Sequence, residues 1–258
     1  MISINKSFVL IVLLPIIISC SFNQIRPDIT RELMIYEQNL SEIFEGEHYY
    51  QNYLYGKYSI IKIYNKNYET AILYLHGRGL NPNEQNLAYP VRIKMSNIFN
   101  TYSIQLPVLK KGSTYYEYTK IFYDSDERIK SAIENILNSN KELIIIAHSC
   151  GVHMLMSYIR NNTLPSDVKS LVMIGSGAVD KGQRLIDPYP YAKIKVPILD
   201  IYGENDFGLV VKKSKDRRKS IEEINGKSKQ VEIKLSNHYH NDNSNEIIDQ
   251  VKKWLSTL

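Results

Sequence analysis

Seven short stretches of this chain are built almost wholly from aliphatic and aromatic residues, and most are stopped by Gly, Pro, His or Ser. They are YSIIKIY (58–64), AILYLHG (71–77), TYSIQLP (101–107), ELIIIAH (142–148), SLVMIGS (170–176), PILDIYG (197–203) and QVEIKLS (230–236). Unbroken apolar runs, rather than alternating ones, suit strands covered on both faces, as in parallel sheets. Helical spacing fills the gaps. In 124–140 the apolar residues Ile129, Ala132, Ile133, Ile136 and Leu137 share one face, and in 244–258 Ile247, Ile248, Val251, Trp254 and Leu255 do the same. A weaker helical pattern in 28–44 rests on Leu33, Ile35 and Leu40. Strand–helix alternation predicts an α/β architecture with a mostly parallel, doubly covered sheet. With 258 residues, 43% of them hydrophobic, the chain can fill one substantial core. Sheets of this kind bind ligands outside the carboxyl ends of their strands, so function is sought there.

Charge narrows the function classes. Thirty-two basic residues against 27 acidic ones leave a formal +5, too even a mixture for a dedicated nucleic-acid binder. The densest basic stretch, KKSKDRRK (212–219), reads as a solvated helix face or as a surface drawn to anionic headgroups. The first twenty residues have another purpose. Lys6 precedes an apolar run from Phe8 to Ile18, broken only by Pro15 and too short to span a bilayer comfortably. Its end, IISCS, resembles the lipobox of bacterial lipoproteins, which makes Cys20 the expected lipidated N-terminus after removal of residues 1–19. An ordinary cleaved signal or an N-terminal anchor is the alternative. Either way the chain is expected outside the cytoplasm, in the cell envelope, held to a membrane through Cys20. Cys150, the other cysteine, is then an unpaired thiol. The expected organisation is a signal peptide (1–19), an N-terminal segment (20–57) and one catalytic-type domain (58–258).

The strand at 142–148 runs into His148, Ser149, Cys150 and Gly151, after which Val152, Leu155, Met156 and Ile159 continue with helical spacing. A strand–turn–helix this tight brings two backbones nearly into contact, so only small residues fit on either side, here Ala147 and Gly151. The serine at the tip is held in a strained conformation, with its hydroxyl at a helix N-terminus that favours developing negative charge.

This stretch resembles the nucleophile elbow of the α/β-hydrolase superfamily, Gly-x-Ser-x-Gly, with alanine at its first position. His76-Gly77-Arg78-Gly79 after another strand resembles the family's His-Gly-x-Gly loop. Carried over from the family, the backbone N–H groups of Arg78 and Cys150 form an oxyanion hole. VPILDIYGENDFGLV resembles the segment in which a strand enters a Gly-x-x-Asp turn, so the resemblance gives Asp206 the acid position, with Glu204 the runner-up and Asp200 structural. VEIKLSNHYHNDNSN resembles the last strand and histidine loop, with His238 at the family's position and His240 close enough to compete. Ser236 and Asn237 depart from the family's usual residues there. The order Ser149, Asp206, His238 is the one this fold uses. His48, His76, His148 and His153 read as structural or loop residues. The resemblance covers residues 58–258 and fits a little-characterised bacterial branch.

The resemblance implies a serine hydrolase acting on a carboxylic ester or thioester through an acyl-serine intermediate, with neither metal nor cofactor. The segment between 176 and 197 is too short for a large helical lid. The loop 108–124, with Tyr115, Tyr116 and Tyr118, either lines one wall of an open site or is ordinary surface. A serine peptidase shares the triad but often carries a larger cap. A non-catalytic envelope lipoprotein that keeps the fold for ligand or partner binding is the alternative of a different class.

Overall fold

The structure, a computed structural model, describes residues 25–258; the expected signal peptide 1–19 and lipidation site Cys20 lie outside the described residues. Eight strands form one sheet: β1 (Glu47–Tyr53), β2 (Gly56–Ile63), β3 (Thr70–Leu75), β4 (Asn100–Ile104), β5 (Glu142–His148), β6 (Val168–Ile174), β7 (Ile198–Asn205) and β8 (Lys229–Asn237). Their spatial order is β1-β2-β4-β3-β5-β6-β7-β8. The β1–β2 and β2–β4 pairs are antiparallel, and every pair from β4 to β8 is parallel.

The aliphatic runs become intelligible once both faces are followed. Leu73, Leu75, Ile145, Ala147, Leu171 and Met173 face one core layer, which α4 (Phe122–Leu137) and α5 (Cys150–Asn161) close. Ile72, Tyr74, Ile144, Ile146, Val172 and Ile174 face the other, closed by α2 (Ala88–Met95) and α8 (Ser244–Leu255). Alternate residues of one strand therefore enter different cores, and neither face can be polar. The helical faces expected for α4 and α8 are the buried ones, except that Leu137 and Leu255 are only partly covered.

The N-terminal segment departs from expectation. α1 (Ile29–Glu42) forms where helical spacing was seen, and β1 begins ahead of residue 58. Yet Leu33 and Leu40 stand exposed, while the buried residues of α1 are Glu32 and Asn39. The reason is electrostatic. Glu32 Oε2 meets Arg128 Nη1 at 2.9 Å, Arg128 Nε meets Asp124 Oδ1 at 2.7 Å, and the guanidinium is fully buried. A charge removed from water must be paired, so α1 docks through its acid and turns its leucines outward. The basic stretch 212–219 spans the end of α6 (Gly208–Lys212) and the start of α7 (Ser214–Ile224). Lys213 and Arg218 pair with acids one turn along at the surface, whereas Arg217 is buried against Asp200 of β7 at 3.0 Å.

Candidate active site

Ser149 occupies the tip between β5 and α5 with φ 52° and ψ −118°, a conformation costly for a residue with a Cβ. Two contacts impose it. The Ser149 amide donates to the Ile174 carbonyl at 2.8 Å, tying the tip to the end of β6. Gly151 lies so close to β3 that a methyl there would overlap the Leu75 and His76 carbonyl oxygens. The small residue two positions beyond the serine is therefore demanded by backbone-to-backbone contact.

The loops after β7 and β8 bring an acid and a histidine to this serine. His238 Nε2 lies 2.8 Å from Ser149 Oγ, and His238 Nδ1 lies 2.6 Å from Asp206 Oδ1. In the neutral ring this pairing puts the proton on Nδ1, leaving Nε2 free to accept from the serine hydroxyl. Burial pushes the Asp206 carboxyl up, but the His238 hydrogen bond, the imidazole's charge and the Phe207 amide (2.7 Å) outweigh it, so Asp206 ends below the usual carboxylate range. The Phe207 ring stacks on His238 with centroids 4.1 Å apart. Gly175 closes the other side: at φ 63° it passes so near that a Cβ would come within 2.9 Å of the imidazole.

The competing residues are elsewhere. His240, fully buried at φ 53°, pairs its Nδ1 with Ser236 Oγ at 2.7 Å. Glu204 is exposed and holds Lys234 and the Leu235 amide. Asp200 is buried on β7 against Arg217 and Gln230. Three further histidines are supports. His76 accepts from the Leu106 amide and Gln105 at Nε2, so its Nδ1–H donates to the Gly77 carbonyl. His148 Nε2 reaches the His238 carbonyl at 3.1 Å, and His153 Nε2 reaches that of Ala178 at 2.8 Å. Burial drives His148 down to about 3, with His238 and His240 adding to the shift, and burial drives His76 and His153 down to about 4.

The His76–Gly79 loop lies against the elbow: a Cβ on Gly77 would sit 3.3 Å from Ser149 Cβ. Cys150 is the first residue of α5, so its amide has no helical acceptor behind it. The Arg78 amide makes no hydrogen bond among the described residues. Cys150 itself is buried, and burial pushes its thiol up to about 12.

Sequence reasoning missed the groups that hold this loop. The Arg78 guanidinium makes a two-pronged contact with Asp180 at 2.6 and 2.7 Å, and Asp180 Oδ2 also accepts from the Tyr115 amide at 2.6 Å. On the far side, Arg31 of α1 donates to the Gly79 carbonyl at 2.8 Å and also to that of Leu109. No local pattern marks Arg31 or Asp180. Of Tyr115, Tyr116 and Tyr118 in the 108–124 segment, the first and last are buried supports, and Tyr116 is exposed. Tyr115 and Tyr116 accept from the Ile186 and Arg184 amides, clasping the 176–197 segment, which carries no helical lid. On the other side of that segment is an open, mainly apolar cleft of about 470 Å³, lined by Gly177, Leu185, Tyr189, Tyr191 and Leu209. None of Ser149, Asp206 and His238 lines it.

No protein-family model matches the chain, and no curated protein matches it. Solved structures do. An esterase from Pyrococcus furiosus, Pf2001, is 17% identical, with a TM-score of 0.64 over 85% of this chain and 93% of that one. Est1E from Butyrivibrio proteoclasticus is 14% identical, with a TM-score of 0.60 over 81% and 98%. Carboxylesterase CesB from Bacillus subtilis is 16% identical, with a TM-score of 0.60 over 88% and 97%. With this sheet order and the strained strand–helix turn at its centre, the chain has the α/β-hydrolase fold.

Proposed function

We propose that the chain is a serine hydrolase that cleaves a carboxylic ester or thioester through an acyl-Ser149 intermediate. The observation that carries this reading is the continuous hydrogen-bonded chain from Ser149 Oγ through His238 to Asp206. Serine is a poor nucleophile at neutral pH. His238 Nε2 takes its proton as Oγ attacks the carbonyl carbon, and Asp206 holds the ring and stabilises the imidazolium. The Arg78 and Cys150 amides receive the oxyanion; one such donor is typically worth roughly 3–4 kcal/mol. His238 then protonates the leaving alcohol or thiol. Water, deprotonated by the same nitrogen, releases the acid. The esterase names of the similar structures point the same way.

A fluorophosphonate, whose phosphorus imitates the tetrahedral centre, tests the proposal. Labelling is expected at Ser149 and is lost in Ser149→Ala and His238→Ala. A folded protein that never labels would support the non-catalytic alternative, and label on Cys150 would overturn the assignment of the turn.

We also propose that Cys20 carries the lipid that attaches the protein to the envelope membrane. IISCS following an apolar run supports it. Cys20→Ala is expected to release the protein from the membrane fraction or stall its processing; unchanged mass and membrane association would overturn it.

A further inference from the structure

The outer face of α1 is the least expected surface of the molecule. Fifteen large hydrophobic side chains stand exposed among the described residues, and seven of them fall within 29–55. Ile29, Leu33 and Leu40, exposed by 59, 48 and 52%, lie within about 40° of one another around the helix axis. Phe44, 89% exposed, follows just beyond the helix end. Arg31 lies on roughly the opposite side of the helix, where it holds the Gly79 carbonyl. The stripe is therefore not a misplaced core face: α1 is already docked through Arg31 and Glu32.

We infer that this apolar stripe of α1 rests on a lipid bilayer, in the plane of its interface. The inference rests on the proposed attachment through Cys20. Ile25 packs against the protein core, and the Asp28 amide is bonded to the Val108 carbonyl, so the chain is fastened to the body from residue 25 onward. Cys20 lies five residues earlier, a span of at most about 17 Å even when fully extended. A lipid on Cys20 thus holds the stripe within reach of the membrane at every moment, which makes even weak apolar contact effective. An exposed apolar stripe along a helix is a surface that can lie in a membrane interface. Charge specifies the lipid chemistry. α1 carries Glu32, Glu37 and Glu42 against Arg31 alone, so anionic headgroups do not attract it. The contact is with the apolar layer of a neutral surface and is insensitive to salt. The arrangement sets the Gly79 loop about one helix diameter, 10–12 Å, from the lipid.

The test uses the full chain, lipidated in bacteria and reconstituted into phosphatidylcholine vesicles. An environment-sensitive fluorophore is placed on Leu40→Cys and, in a second preparation, on Lys219→Cys, which is exposed on α7 at the opposite edge of the sheet. Cys150 is buried and does not compete for label. The Leu40 probe is expected to shift to the blue and to be quenched several-fold more than the Lys219 probe by nitroxide lipids, equally at low and high salt. Leu33→Glu with a probe at Ile29→Cys is expected to stay anchored but lose that quenching. A Leu40 probe quenched no more than the Lys219 probe, on protein whose mass shows lipidated Cys20, overturns this inference alone. A bare Cys20 overturns the anchor and the inference together. A concentration-dependent blue shift in detergent without vesicles assigns the stripe to a second copy of the chain and overturns it as well.

Discussion

The two ends of the chain serve the site in contrasting ways. The C-terminal half supplies Ser149, Asp206 and His238, each from a turn directly after a strand. The N-terminal segment supplies no reacting group, yet its helix α1 grips the neighbouring loop through Arg31 and is itself pinned by Glu32 on Arg128. In the first region, position along the chain and role coincide, because a strand end projects its next residue toward the ligand face. In the second, role depends on which distant partner arrives. The proposed reacting groups are local features of strand ends, and the groups that steady them are long-range features of packing.

Substitutions can break this contrast if it is wrong. Ser149→Ala or His238→Ala is expected to lower kcat on a small ester by roughly six orders of magnitude, with circular dichroism unchanged. Arg128→Met separates the two regions from the other direction. It strands two buried carboxylates, so urea unfolding is expected to show a loss of about 3–5 kcal/mol, while activity per folded molecule falls no further than in Arg31→Met. A wild-type unfolding midpoint would mean that α1 is held by something other than this ion-pair network.

The buried histidines sharpen the comparison through pH. His76, His153 and His240 are held down at about 4 and His148 at about 3, chiefly by burial. Below the ordinary imidazole value of about 6.5, the unfolded chain binds protons that the folded chain does not. Stability therefore rises with pH through this window and is lost as pH falls from about 6.5 toward 4. Asp126, pushed up to about 6 by burial, works in the opposite direction, as do Glu32 and Glu84, whose carboxyls burial also raises. His48, half-buried, is also lowered to about 4; five depressed imidazoles outnumber the three raised carboxyls, and a drop of roughly several kcal/mol between pH 7 and 5 is expected in denaturant titrations. The smallest effects belong to the loop supports. Asp180→Asn and Arg31→Met are each expected to lower kcat by about three- to tenfold with little change in KM, if the Arg78 amide is the oxyanion donor proposed above. A change in KM alone would show that Asp180 or Arg31 binds substrate.

Much of the fold was legible because its signals are local. Continuous aliphatic runs meant strands covered on both faces, and the alternating residues of β3, β5 and β6 do enter two separate cores. Ala147 and Gly151 around Ser149 were legible for the same reason: a tight strand–helix turn excludes side chains wherever it occurs. The choice between His238 and His240 was not settled by spacing. Only the fold turns one ring toward Ser149 Oγ and the other toward Ser236. The outward leucines of α1 run against their helical pattern, because Arg128, 96 residues away, reaches Glu32 and decides which side of the helix is buried. Asp180 and Arg78, 102 residues apart, carry no mark of their pairing. Residue type and spacing determined the strands, the turn and the order of the reacting groups, since these follow from steric and apolar constraints within a few residues. Tertiary structure decided which face of α1 is buried, which histidine meets the serine and what steadies the Arg78 loop, since a buried charge or hydrogen bond takes its partner from whatever the folded chain brings within about 3 Å.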